Sequence, residues 1–292
     1  MCEFCLKHGA NGKWFDNAKN YLKETYEECN SYEYLEDLWG NLERGNIRKA
    51  YGIATMKWAS TQINKPIFGS LVKWYANRGF QKDGRKHKKF QMATAQGHYG
   101  QILTLDEART VLTKKAPIVV KAYCPCKYFM RGKKEATCLG FSALNEVLPK
   151  LPRFIPEHGV EVMDADKVDK FLNEMSKQGR INTIYCGPTP AIAALCSCDV
   201  MSCAALDLRK HGIRGACKSH SVAVVVRDNC TQCGKCATRC QFHVLKYDPN
   251  SGPSIKLEEC FGCGKCSEIC EQHAIKLEDR EKFPQLQKKK MW

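Results

Sequence analysis

Apolar residues recur at helical spacing through three N-terminal stretches. From about Phe15 to Leu42 the chain mixes Leu, Tyr and Trp with Glu and Lys and contains no Pro, which predicts one or two amphipathic helices. Asn46 to Ser60 and Pro66 to Asn77 read as helical too, with Pro66 suited to a first turn. The texture changes after Gly100. Thr104-Leu-Asp-Glu107 forms a capping box ahead of a short helix that should reach about Lys114. Pro117 ends that helix, and the apolar run from Ile118 to Tyr123 predicts a buried strand. The pattern then recurs. Asp164 is placed to cap a helix with Ala165, Val168, Phe171, Leu172 and Met175 on one face, Gly179 stops it, and Ile181 to Tyr185 is the next strand. Val222 to Val226 reads as a further strand, and no apolar run approaches the roughly 20 residues that a membrane crossing needs.

Both helix–strand units run into cysteines. The first leads to Cys124-Pro-Cys126 and then Cys138; the second leads to Cys186 and then Cys196-Ser-Cys198 and Cys203. This predicts a duplicated capped helix–strand–cysteine unit over roughly 101 to 204. Further on, Cys230, Cys233, Cys236 and Cys240 are spaced C-x2-C-x2-C-x3-C, and Cys260, Cys263, Cys266 and Cys270 repeat the spacing. The halves also match beyond their cysteines, Cys240-Gln-Phe-His-Val-Leu-Lys against Cys270-Glu-Gln-His-Ala-Ile-Lys. Nineteen cysteines would mean disulfides in a small secreted chain. In 292 residues with no signal-peptide pattern they read as metal ligands in a reducing compartment.

The repeated spacing, with its flanking match, resembles the two-[4Fe–4S] domain of bacterial-type ferredoxins. The resemblance implies a pseudo-twofold pair of strand–loop–helix units. Three cysteines of each loop would cap three corners of a cubane, and the fourth would serve the other cluster. One cluster is thus assigned to Cys230, Cys233, Cys236 and Cys270, and the second to Cys260, Cys263, Cys266 and Cys240. Gln241 and Glu271 stand where the family usually places Pro. Zinc is the better of the competing readings, but its knuckles use paired C-x2-C rather than triplets with a distant fourth ligand. The upstream order of helix, strand, C-x-C and third cysteine resembles a poorly characterised group of multi-cluster ferredoxin-domain proteins of anaerobes. That second resemblance spans about residues 101 to 279 and implies architecture more than activity.

Cys124, Cys126, Cys138, Cys196, Cys198 and Cys203 are candidate ligands of at least one further iron–sulfur cluster, since thiolates are the soft donors such clusters take. Six can hold a double-cubane-type eight-iron cluster or two cubanes with an open iron each, and four of them can hold one ordinary cluster. The competing reading is reduced cysteines packed as small hydrophobes. Cys2, Cys5, Cys29, Cys186 and Cys217 stay unassigned, with Cys186 a candidate to replace a member of the second triplet. His243 and His273 hold equivalent places after Cys240 and Cys270, by inheritance through duplication or to tune a cluster through a hydrogen bond.

The formal charge of +15 changes the choice of partner more than the fold. Bound clusters would reduce it, but the chain remains basic and favours an acidic redox partner or a larger oxidoreductase complex. Lys73, Arg78, Lys82, Arg85, Lys86, Lys88 and Lys89 alternate with Trp74, Tyr75, Phe80 and Phe90. Such a run can dock an acidic face, bind nucleic acid by phosphate contact and stacking, or be a solvated loop. No nucleic-acid-binding motif accompanies it, so Arg85, Lys86, Lys88 and Lys89 are assigned to partner binding. Gly79 to Lys86 lacks the lysine and hydroxyl of a P-loop, and no G-x-G-x-x-G follows a strand. The expected class is α+β: a mainly helical region over 1–100, a duplicated cysteine-rich α/β domain over 101–221, a two-[4Fe–4S] ferredoxin domain over 222–279 and a basic tail over 280–292. The expected function is that of a cytoplasmic iron–sulfur electron-transfer protein of an anaerobe. It would relay low-potential electrons between a redox partner and the additional cluster. A reductase acting at that cluster and a nucleic-acid-binding redox sensor are the alternatives.

Overall fold

The computed structural model describes residue 9 and residues 12–29, 31–44, 58, 61–65, 68–79, 100–141, 143–186, 190–213 and 215–287. Cys2, Cys5, most of the helix expected over Asn46 to Ser60, the basic residues from Lys82 to Lys89 and the end of the tail lie outside the described residues.

The N-terminal stretch is helical in pieces. Trp14–Asp16 and Ala18–Tyr21 are single 3-10 turns, because Asn17 is extended and its side chain accepts from the Lys19 N–H at 3.2 Å. Leu22 is extended as well, so the α-helices begin only with α1, Lys23–Glu28, followed by α2, Ser31–Glu43, and α3, Phe68–Gly79. Two buried hydrogen bonds fasten this region to the cysteine-rich domain. Trp14 Nε1 donates to Gln101 Oε1 at 2.6 Å in the interior, and the Tyr26 hydroxyl donates to the Ile192 carbonyl.

Six strands form one antiparallel sheet: β1, Gly100–Leu103; β2, Val119–Ala122; β3, Cys138–Phe141; β4, Glu161–Val162; β5, Ile181–Cys186; and β6, Ile192–Cys198. Their order is β1-β5-β6-β3-β2-β4, which puts β6 and β3 at the centre. The capping box is present, with Glu107 N–H donating to Thr104 Oγ1 at 3.2 Å and Thr104 N–H to Glu107 Oε2 at 3.0 Å. It opens α4, Leu105–Thr110. Three short helices, α5 (Pro125–Arg131), α6 (Ala143–Val147) and α8 (Ala204–Lys210), accompany the long α7, Ala165–Lys177, along the chain. Asp164 caps α7 through the Lys167 N–H at 2.8 Å, and Gly179 closes it with φ +74°.

Side chains alternate across a strand, so the sheet has two different faces. On one, Leu139, Phe141, Ile184, Ile192 and Leu195 pack on Val168, Phe171, Leu172 and Met175 of α7. Each such side chain contributes about 1.5–3 kcal/mol on full burial, which holds α7 in place. On the other face, Val120, Ala122, Cys124, Cys138 and Ala194 meet Tyr26, Leu35, Trp39 and Phe154. The cysteines therefore face the N-terminal helices.

The C-terminal region repeats one unit. β7, Ser221–Val225, pairs with β10, Ile275–Asp279, and β8, Leu245–Asp248, pairs with β9, Gly252–Ile255. The cysteine loops lead into α9, Lys235–Arg239, and α10, Lys265–Glu268. Left-handed residues match pairwise: Gln232 with Gly262, Gly234 with Gly264, and His243 (φ 56°) with His273 (φ 48°). Both histidine side chains are exposed, while their N–H groups donate to the carbonyls of Cys240 and Cys270 at 2.9 and 3.0 Å. Histidine is among the residues enriched in this backbone region, so a left-handed turn accounts for its repetition. The buried Arg280 guanidinium stitches the unit together through the carbonyls of Ser219, Ser221 and Cys260 at 3.0, 3.0 and 2.8 Å. Among the described residues no helix is long and apolar enough to cross a membrane.

Candidate metal centres

The C-terminal cysteines fall into two sets, each taking three from one loop and the fourth from the other half. Cys230, Cys233, Cys236 and Cys270 line one cavity, the distal one. Cys240, Cys260, Cys263 and Cys266 line another, the proximal one. Gly234 and Gly264, left-handed at the helix N-caps, turn the chain so that the third cysteine of each loop enters a helix. Cys233 is exposed, whereas Cys236 and Cys260 are buried. Burial pushes the Cys263 thiol up to about 12 and raises those of Cys266 and Cys236. Thiolates at such positions need nearby positive charge, which an iron–sulfur core supplies. An all-sulfur donor set of this kind fits that group.

Upstream, Cys124, Cys126, Cys138, Cys196, Cys198 and Cys203 line a single cavity together with Cys186. Two local geometries deliver the C-x-C pairs. Cys124 is the N-cap of α5, its sulfur accepting from the Lys127 N–H at 3.5 Å, with Pro125 in the first turn beside Cys126. Cys196 and Cys198 lie two apart on β6 and so share a face. Cys138 opens β3 directly opposite Cys196, with sulfurs 3.6 Å apart. Cys203 is the N-cap of α8 and lies 3.3 Å from the Tyr185 hydroxyl. The two units thus follow the same order of helix and strand, then present their cysteines differently. A register shift at Tyr185/Cys186 lets both neighbours reach the cavity.

The rest of the lining is apolar: Tyr34, Leu35 and Trp39 of α2 form a roof, with Leu144, Ala193, Ala194 and Ala205 below. The thiols behave as one network. Hydrogen bonds from Cys126, Cys196 and Cys198 hold Cys124 well below the usual thiol range. Those three are raised by their bonds to Cys124 and by burial. Cys203 is lowered by Cys198 and then by Tyr185. Below the cavity, buried Lys127 pairs with Glu135 and, at 3.7 Å, with Asp199, while Arg180 bridges the same carboxylates. Lys127 follows Cys126 and Asp199 follows Cys198, so this neutral ion cluster ties the two C-x-C pairs together. Opposite charges directly after the two pairs were a readable signal for it. Among the described residues, no three His, Cys, Asp or Glu converge as a single metal ion would require. Thiolates capping different corners of a cubane need no such common point.

Cys29 is half-buried, and Cys217 is buried beside β1, where its N–H donates to the Gly100 carbonyl at 2.7 Å; neither lines these cavities. Arg85, Lys86, Lys88 and Lys89 lie outside the described residues.

The upstream and proximal cavities adjoin through one apolar cluster. It contains Cys198, Cys203 and Phe242, with Tyr185, Cys240, Phe261 and Cys263 packed against it. Phe242 and Phe261 stack with ring centroids 3.8 Å apart. Gln241, in the place expected of Pro, clamps the junction: its carbonyl oxygen accepts from the Val200 N–H at 2.8 Å and its amide donates to the Gly179 carbonyl at 2.7 Å. Arg239 adds a bond to the Ser176 carbonyl at 2.7 Å.

The family described as the 4Fe-4S dicluster domain matches residues 229–275. No curated protein and no solved structure gives a significant match. The matched segment contains all eight cysteines of the distal and proximal cavities, so the chain carries a C-terminal ferredoxin-type 4Fe-4S dicluster domain with an iron–sulfur electron-transfer role.

Proposed function

We propose that the protein relays electrons between a redox partner and an additional iron–sulfur cluster in the upstream cysteine-lined cavity, by way of two [4Fe–4S] clusters in the ferredoxin domain. Cys230, Cys233, Cys236 and Cys270 would hold the distal cluster, and Cys240, Cys260, Cys263 and Cys266 the proximal one. Bound iron–sulfur clusters supply one-electron chemistry at low potential. The carrying observation is the shared apolar cluster that packs Cys198 and Cys203 against Cys240, Cys263 and the Phe242–Phe261 stack. It keeps water out of the gap, while Gln241 and Arg239 fix the distance across it. Exposed Cys233 makes the distal site the natural contact for a partner, and the basic chain favours an acidic one. Anaerobically purified protein should contain more than about eight irons, the number two cubanes account for. The double variant Cys126→Ala/Cys198→Ala should fall back to about eight with its ferredoxin spectrum intact. A wild-type protein holding only those eight irons would leave a ferredoxin with a cysteine-rich companion domain and no relay.

A further inference from the structure

We infer that Cys124, Cys126, Cys138, Cys196, Cys198 and Cys203 act as one ligand set for a single eight-iron centre, three thiolates to each of two joined cubanes. The inference rests on the proposal that the upstream cavity holds a cluster, and it specifies which kind.

The first ground is that the triplets interleave. Two independent cubanes would need each triplet closed around its own volume. Here the two triplets share one volume: Cys124 lines the same cavity as Cys196 and Cys198 of the second triplet. Cys138 of the first triplet meets Cys196 of the second at 3.6 Å. The second ground is the fold beneath them. β3 and β6 lie side by side at the centre of the sheet, and Cys138 and Cys196 are direct cross-strand partners. No wall of side chains can stand between triplets joined in this way.

The third ground is the donor inventory. Apart from sulfur, the lining offers only the hydroxyls of Tyr34 and Tyr185, with aliphatic and indole groups elsewhere. One ordinary cubane needs four thiolates and would strand three of the seven sulfurs in that lining, whereas six ligands leave only Cys186 over. Joined cubanes use three each, because the fourth iron of each is held by the shared bridge. Soft, all-thiolate surroundings also suit iron and sulfide better than any harder metal.

The test is iron and sulfide analysis with ⁵⁷Fe Mössbauer spectroscopy of anaerobically purified, full-length holoprotein. About sixteen irons are expected, eight of them forming one magnetically coupled system. About twelve irons would overturn the eight-iron assignment and leave the relay standing; about eight would overturn both. About sixteen irons in four uncoupled cubanes would equally overturn it. Cys126→Ala and Cys198→Ala, one from each triplet, give an independent reading wherever they retain the ferredoxin spectrum. Each should alter the signals of all the upstream irons. Loss of about four irons with the other upstream signals unchanged would mean two separate cubanes.

Discussion

Gly262 is where the proximal loop meets the rest of the ferredoxin domain most tightly, and Gly262→Ala puts a number on that fit. A Cβ there would lie 2.0 Å from the Ser221 carbonyl oxygen and 2.9 Å from the Ser219 Cβ, on a backbone with φ +69°. The left-handed conformation costs a residue with a Cβ about 1–2 kcal/mol, and forcing a methyl into packed backbone costs about 1–3 kcal/mol more. The sum, about 2–5 kcal/mol, is a large part of the 5–15 kcal/mol that typically holds a domain together. Neither neighbour yields cheaply. Moving Ser221 breaks its 3.0 Å bond from Arg280 and its place opposite Asp279, and moving Gly262 displaces Cys260 and Cys263. Gln232 is the internal control: it holds the equivalent position with φ 56° and already carries a side chain. Thermal unfolding of anaerobic holoprotein, with magnetic resonance to identify the surviving cluster, should show a lowered midpoint and loss of the proximal signal in Gly262→Ala. Gln232→Ala should change little. An unchanged midpoint and iron content in Gly262→Ala, or equal damage in both variants, would refute the steric argument.

Two other sites give further predictions. Burial lowers His220 from 6.5 to about 4, with Lys13 reinforcing the shift and Glu107 and Asp279 opposing it. The unfolded chain therefore binds the proton more readily, and stability on the order of 3 kcal/mol should be lost as pH falls from about 6.5 to 4. Denaturant titrations should show His220→Phe losing that share of the pH dependence; identical profiles would remove His220 as its source. Gln241→Ala deletes the two side-chain bonds across the junction and should cost about 1–3 kcal/mol without lowering the iron count. Unchanged stability would mean that the clamp contributes nothing.

What could be read from the sequence was local. Thr104 with Glu107, and Asp164 with Gly179, fix α4 and α7 because each cap lies within a few residues of what it caps. The C-x2-C-x2-C loops were legible for the same reason, since their spacing alone sets three sulfurs around one small volume. β1 went unread: Gly100 to Leu103 is four residues long, and its burial comes from β5 and from Cys217, far along the chain. The stretch from Phe15 to Leu42 reads as one or two amphipathic helices, which α1 and α2 are, but Asn17 and Leu22 break its start into 3-10 turns. The six upstream cysteines could be named from their pairing. Their roof of Tyr34, Leu35 and Trp39 could not, because it belongs to a helix about ninety residues away in sequence.

The central claim is that the ferredoxin sites and the upstream cavity form one path, and Cys240→Ala tests it most directly. Cys240 packs against the junction, as Cys263 does, and is the fourth member of the Cys260, Cys263 and Cys266 set. Holoprotein would be mixed with a reduced, protein-sized one-electron donor and frozen at successive times for magnetic resonance. In the wild type the ferredoxin signals should appear first and the upstream signal after them. In Cys240→Ala the proximal cluster should become a three-iron species, and reduction of the upstream centre should slow severely while its iron is retained. Upstream reduction at the wild-type rate in that variant would contradict the account.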